Sequence, residues 1–114
     1  MSRSDLAHPI VVVGGFETVS CTRIGLAQTL LHDCMAARER GDDGVPKLVF
    51  SSNGQGVALA GRSPAFMEVM SEADIVHADG MPVVFASRMT QTPLPERIPT
   101  TDFFHDAARI AERN

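Results

Sequence analysis

Ala78-Asp79-Gly80-Met81-Pro82-Val83-Val84 places one carboxylate on a glycine turn between an apolar strand and an apolar helix. The strand is Ile75-Val76-His77-Ala78, and Pro82 starts a short helix that runs through Phe85 to Arg88. Strand and helix fix the backbone while the turn exposes the side chain, which is how an α/β enzyme holds a catalytic group. Upstream, Ser63-Pro64 opens another helix, with serine at the N-cap and proline at the first helical position. Phe66, Met67, Val69, Met70 and Ala73 give that helix its expected apolar face. Before it, Lys47-Leu48-Val49-Phe50 reads as a strand that leads straight into Ser51-Ser52-Asn53-Gly54-Gln55, a polar turn.

The same alternation extends to both ends. Ile10-Val11-Val12-Val13 is a short buried strand closed by Gly14-Gly15. From Thr22 to Arg40, Ile24, Ala27, Leu31, Cys34 and Met35 recur at helical spacing, with Arg38 and Arg40 in the last turn and Gly41 after it. Asp42 to Pro46 is a loop. Downstream, a proline-rich connection from Thr92 to Pro99 precedes a last helix capped by Thr101. Phe103, Phe104, Ala107, Ala108, Ile110 and Ala111 form its apolar side. Strand–helix alternation implies an α/β fold with a parallel sheet and flanking helices. With three or so strands, so small a sheet leaves apolar helix surface uncovered. The chain reads like the first half of something larger.

Bulk properties exclude several classes. The chain has 114 residues, 44% hydrophobic and 21% charged, the profile of one soluble globular domain. A formal charge of −4 speaks against a nucleic-acid binder, which needs a basic face to neutralise phosphates. No apolar stretch approaches the roughly 20 residues of a membrane span. Met1 to His8 is polar and unlike a signal peptide, so the expected location is cytoplasmic. The two cysteines, Cys21 and Cys34, form no metal pattern and read as buried free thiols. The six methionines are expected in the core.

Asp79 heads the residues able to carry chemistry. It is either a turn carboxylate bonding neighbouring amides or a general base at the carboxyl end of a parallel strand. Val76, Met81 and Val83 would supply the partly desolvated setting that a base needs. Ser51, Ser52 and Asn53, following the preceding strand, would reach the same edge, where hydroxyl and amide groups suit sugar hydroxyls. Arg97, behind Pro93 and Pro95, is either a fork held for a diphosphate or a salt-bridge partner of Glu96 or Asp102. Gly14-Gly15 lacks the third glycine of a dinucleotide loop. His8, His32, His77 and His105 show no metal spacing, and His77 is expected on a different face from Ala78.

Ser51-Ser52-Asn53, the run from Ala73 to Gly80, and Pro93-Leu94-Pro95-Glu96-Arg97 together resemble the WecG/TagA/CpsF family of bacterial glycosyltransferases. The resemblance extends from about Val12 to Arg113 and includes the Thr101-Asp102-Phe103-Phe104 helix start. It implies a Rossmann-like α/β fold and an inverting transfer of a sugar from a UDP-sugar to a polyprenyl-diphosphate-linked acceptor, in cell-surface polysaccharide or teichoic-acid-type synthesis. The best-known branch uses UDP-N-acetylmannosamine and undecaprenyl-diphosphate-N-acetylglucosamine. Asp79 then matches the proposed base, Ser51 a family threonine, Asn53 a family asparagine and Arg97 the arginine of the Pro-Glu-Arg motif. Gly80 belongs to the Asp-Gly motif, and Gln55 stands where many members carry an acidic residue or histidine. No cofactor, metal or nucleic acid is implied.

Members of that family are longer. Residues 1–114 would be the N-terminal, acceptor-side part of a single domain, apparently truncated, with the C-terminal half absent. Peripheral contact with the inner face of the cell membrane would come through that half, and a homo-oligomer is compatible with the exposed apolar surface. Two other readings stand beside this one: a non-catalytic remnant or interaction module using its apolar helix faces, and a small nucleotide-binding domain resting on Val13-Gly14-Gly15.

Overall fold

The computed structural model describes residues 8–41 and 46–114. Residues 1–7 and most of the loop expected from Asp42 to Pro46 lie outside the described residues. In chain order the elements are β1 (Ile10–Val13), β2 (Phe16–Val19), α1 (Arg23–Arg40), β3 (Val49–Ser52) and α2 (Gly54–Arg62). Then come α3 (Pro64–Met70), β4 (Ile75–Ala78), α4 (Met81–Ser87) and α5 (Thr100–Glu112).

The parallel pair expected from the sequence is β3 beside β4, in the register Val49↔Ile75 to Ser52↔Ala78. Successive side chains of a strand point to opposite faces, so one residue in two faces each helix layer. Ile75 packs with Leu26 and Ala27 of α1 and Phe103 of α5 on one face. Val76 and Phe50 pack with Met70, Phe66 and Val57 of α2 and α3 on the other. A small sheet covered by helices on both faces is the Rossmann-like arrangement. Buried Ile98, from the connection before α5, completes the first layer, and replacing such a side chain by alanine costs about 2–5 kcal/mol.

The N-terminal strand departs from expectation. It does not run parallel beside β3 but forms an antiparallel hairpin with β2, Val13 opposite Phe16. Gly14 and Gly15 make the turn with φ of +61° and +86°, the pair of positive angles that a two-residue hairpin needs. The turn also packs against α2, where a Cβ on Gly14 would lie 2.7 Å from Val57 Cγ2. Val11 and Val13 bury against Ala78, Val83, Val84 and Leu94, which fixes α4 over the end of β4.

Three boundaries also move. β3 begins at Val49 and takes in Ser51 and Ser52, so these serines end the strand rather than follow it. The segment read as a polar turn becomes helix α2 after Asn53, whose side chain caps it by accepting from Gly56 N at 2.7 Å. Thr101 does not cap α5: Pro99 occupies that position, without a side-chain bond, and Thr101 lies inside the first turn. Ser63 caps α3 as expected, through its Oγ and Phe66 N. Thr22 does the same for α1, through Gly25 N, and Gly41 closes that helix.

Packing corrects several core assignments. In α1 the buried stripe is Leu26, Ala27 and Thr29, while Ile24, Met35 and Cys34 are exposed. Cys21 is buried, as expected. Val69 and Phe104 face solvent, as do Met81 and Met89, so the methionines are only partly core.

Candidate active site

β3 and β4 are neighbours and parallel, so the chain leaves both at the same sheet edge. Asn53 follows β3 and Asp79 follows β4, and the two turns lie side by side: Asn53 Cβ is 3.5 Å from where a Gly80 side chain would begin. Gly80 adopts φ +152°, ψ +138°, a conformation that L side chains rarely adopt, and it sits at the N-terminus of α4. Gln55 is exposed in the first turn of α2, and Ser51 is half-buried one residue before Ser52. Ser52 is buried, and its Oγ has no hydrogen-bond partner among the described residues.

Asp79 is half-buried, with its amide donating to Ser52 O at 2.8 Å. Its Oδ2 accepts two hydrogen bonds from the first residue of α5, from Thr100 N at 3.2 Å and Thr100 Oγ1 at 3.1 Å. The carboxylate therefore satisfies a helix-end amide and opposes the positive end of the α5 dipole. Thr100 was not singled out by sequence reasoning. It lies 21 positions from Asp79, and no local pattern connects them. The desolvating wall differs from expectation too: Val83 is buried, but Met81 is exposed and Val76 faces the other helix layer.

His77 comes out on the Asp79 side. Strand alternation separates it from Ala78 and so aligns it with residue 79. Its ring lies 5.5 Å from that of Phe103, it is 2% exposed, and Nδ1 has no hydrogen-bond partner among the described residues. Burial lowers its proton affinity below the ordinary value of 6.5, while the Asp79 charge and the Ile98 backbone pull the other way.

Arg97 is exposed and makes no ion pair among the described residues. Neither acid proposed for it as a structural partner takes it. Glu96 accepts from Arg23 N at 2.9 Å, and Asp102 lies 3.3 Å from the Arg23 guanidinium. Arg23 also pairs with buried Asp106 at 2.5 Å, which ties the start of α1 to α5. The next residue, Ile98, donates its amide to Ala78 O, anchoring the Arg97 segment at the end of β4.

The described residues bring together no three His, Cys, Asp or Glu side chains able to hold a metal ion. No helix is long and apolar enough to cross a membrane. The arrangement offers a carboxylate, an amide side chain and a serine row at one sheet edge, with an arginine on the adjoining connection. A search of curated proteins finds no match. The family model for the glycosyl transferase WecG/TagA/CpsF family matches residues 16–114, nearly the whole chain and every motif just described. On that match the chain belongs to the WecG/TagA/CpsF family of glycosyl transferases.

Proposed function

We propose that this chain carries the acceptor-side machinery for moving a hexose, N-acetylmannosamine-like or another, from a UDP-sugar to a polyprenyl-diphosphate-linked sugar. Asp79 takes the proton from the acceptor hydroxyl as that oxygen bonds to the anomeric carbon. The bond from that carbon to the diphosphate oxygen breaks on the opposite face, UDP leaves with the electron pair, and configuration inverts. Arg97 meets the diphosphate, with the α2 N-terminus offering further amides to the negative charge that develops there. Asn53, Ser51 and Gln55 bond sugar hydroxyls, and Gly80 lets the acceptor approach the backbone.

One observation carries the reading. In a chain of this family, Asp79 stands at the carboxyl end of a parallel strand, against the Asn53 turn, and only its Oδ2 is hydrogen-bonded among the described residues. The test is to incubate the chain with UDP-N-acetylmannosamine and a short-chain polyprenyl-diphosphate-N-acetylglucosamine. The product's anomeric configuration is then read by NMR. Product of inverted configuration supports the reading, and retained configuration rejects it.

A second reading, a non-catalytic interaction module, draws on the outer side of α1. There Leu31, Met35 and Ala36 line a shallow groove of about 380 Å³. It predicts concentration-dependent association in sedimentation, and a well-behaved monomer at all concentrations would reject it.

A further inference from the structure

α5 begins on the proposed base. Thr100 is its first residue, and both the amide and the hydroxyl of Thr100 point their hydrogens at one oxygen, Asp79 Oδ2. A second contact between that helix end and β4 is aromatic: the Phe103 ring lies against the buried His77 ring. Two residues of β4 and its turn, His77 and Asp79, are thus matched by two residues of α5, Phe103 and Thr100. Arg23 fixes the far side of the same helix through Asp102 and Asp106. The α5 N-terminus is therefore held in place independently of Asp79.

We propose that Thr100 is a positioning residue for Asp79: its two donors lock the carboxylate in one rotamer, with Oδ1 as the oxygen left to receive a proton. This role rests on the proposed glycosyl transfer for its catalytic consequence. The lock itself depends only on the geometry. A carboxylate on a glycine turn otherwise rotates about χ1 among staggered positions. Two hydrogen bonds to one oxygen, from a backbone amide and a β-branched side chain with few rotamers of its own, select among them.

Three variants separate the donors. Thr100→Ser keeps both, Thr100→Val removes the hydroxyl at nearly constant shape, and Thr100→Pro removes hydroxyl and amide together. Proline is tolerated at a first helical position, where the amide has no intrahelical partner. Pro99 already has the extended φ −65°, ψ 132° that a following proline requires.

The experiment reads three-bond couplings from the Asp79 α proton to its β protons in the full chain, and kcat and KM with the two substrates named above. The expected result is one Asp79 rotamer in the wild type and in Thr100→Ser, and progressive averaging in Thr100→Val and Thr100→Pro. With it, kcat falls roughly 10-fold in Thr100→Val and towards the order of 100-fold in Thr100→Pro, with donor KM little changed and Thr100→Ser restored. Unchanged couplings in Thr100→Pro would overturn the lock. Averaged couplings with unchanged kcat would overturn its catalytic consequence. No transfer by the wild type would count against the proposed function, and the couplings alone would then decide whether Thr100 positions Asp79.

Discussion

Asn53 and Gly80 face each other across the sheet edge, the Asn53 Cβ 3.5 Å and its Cα 3.8 Å from the point where a Gly80 side chain would start. The two residues lie on different turns, one after each parallel strand, and the Asp79 amide bonded to Ser52 O joins those turns into one site. Gly80 holds φ +152°, where any other residue is strained. Gly80→Ala is expected to cost about 1–3 kcal/mol, seen as a lower urea midpoint at unchanged slope. The added methyl meets Asn53 at ordinary contact distance, so strain rather than collision causes the loss. An unchanged midpoint would show that the turn relaxes freely.

His77 makes stability depend on pH. Its folded proton affinity lies below the ordinary 6.5, chiefly because burial disfavours the charged ring. Beneath pH 6.5 the unfolded chain therefore binds more protons than the folded one, and stability falls as pH is lowered through that window. His77→Gln should flatten this part of the curve in urea melts between pH 7.5 and pH 5 (roughly the span over which a histidine changes charge). An identical slope in the variant would remove His77 as its source.

Arg23 binds three acids of the α5 side: Glu96 through its amide, and Asp102 and Asp106 through its guanidinium. Asp106 is buried, so removing its partner strands a charge. The Arg23 side chain is 36% exposed, and solvent screens part of the pairing. Arg23→Leu should cost about 1–3 kcal/mol in chemical denaturation, and Asp106→Asn in that background should recover part of it.

The two thiols should differ sharply. Burial and, secondarily, the Glu96 charge push Cys21 up to about 11, so at pH 8 it holds its proton, while Cys34 is exposed on α1. Native chain at pH 8 should release colour from a disulfide reagent with fast kinetics at one thiol only, and from both in denaturant. Cys34→Ser should abolish the fast phase; its persistence would contradict the assignment.

The part of the fold around Asp79 was legible because its signals are local and agree. An apolar run ends at an Asp-Gly pair and Pro82 restarts the chain as helix, and the structure has β4 and α4 there. β2 was missed although Gly14-Gly15 followed by Phe16-Glu17-Thr18-Val19 carries a hairpin signal. The expected alternation of strand and helix outweighed it. α2 was missed because Gly54, Gly56 and Gly61 have low helix propensity. The Asn53 cap and the packing of Val57 and Ala60 form it instead. The α1 face was misjudged because the apolar residues spread over a wide arc that takes in Leu26 as well as Ile24 and Met35, so periodicity alone does not choose which part of it is buried. Within the site, Asp79, Asn53 and Ser51 were placed at one edge from topology. The Thr100 contact and the Arg23 cluster join segments far apart in sequence, and only packing shows them.

Initial rates of sugar transfer by the wild type and Asp79→Asn, each beside a UDP-binding titration, test the proposed base most directly. Asparagine still accepts a hydrogen bond from Thr100, so the turn should survive the change. Loss of roughly 10²–10⁴ in kcat with UDP affinity retained is the predicted result. A variant that transfers sugar at the wild-type rate would contradict the account.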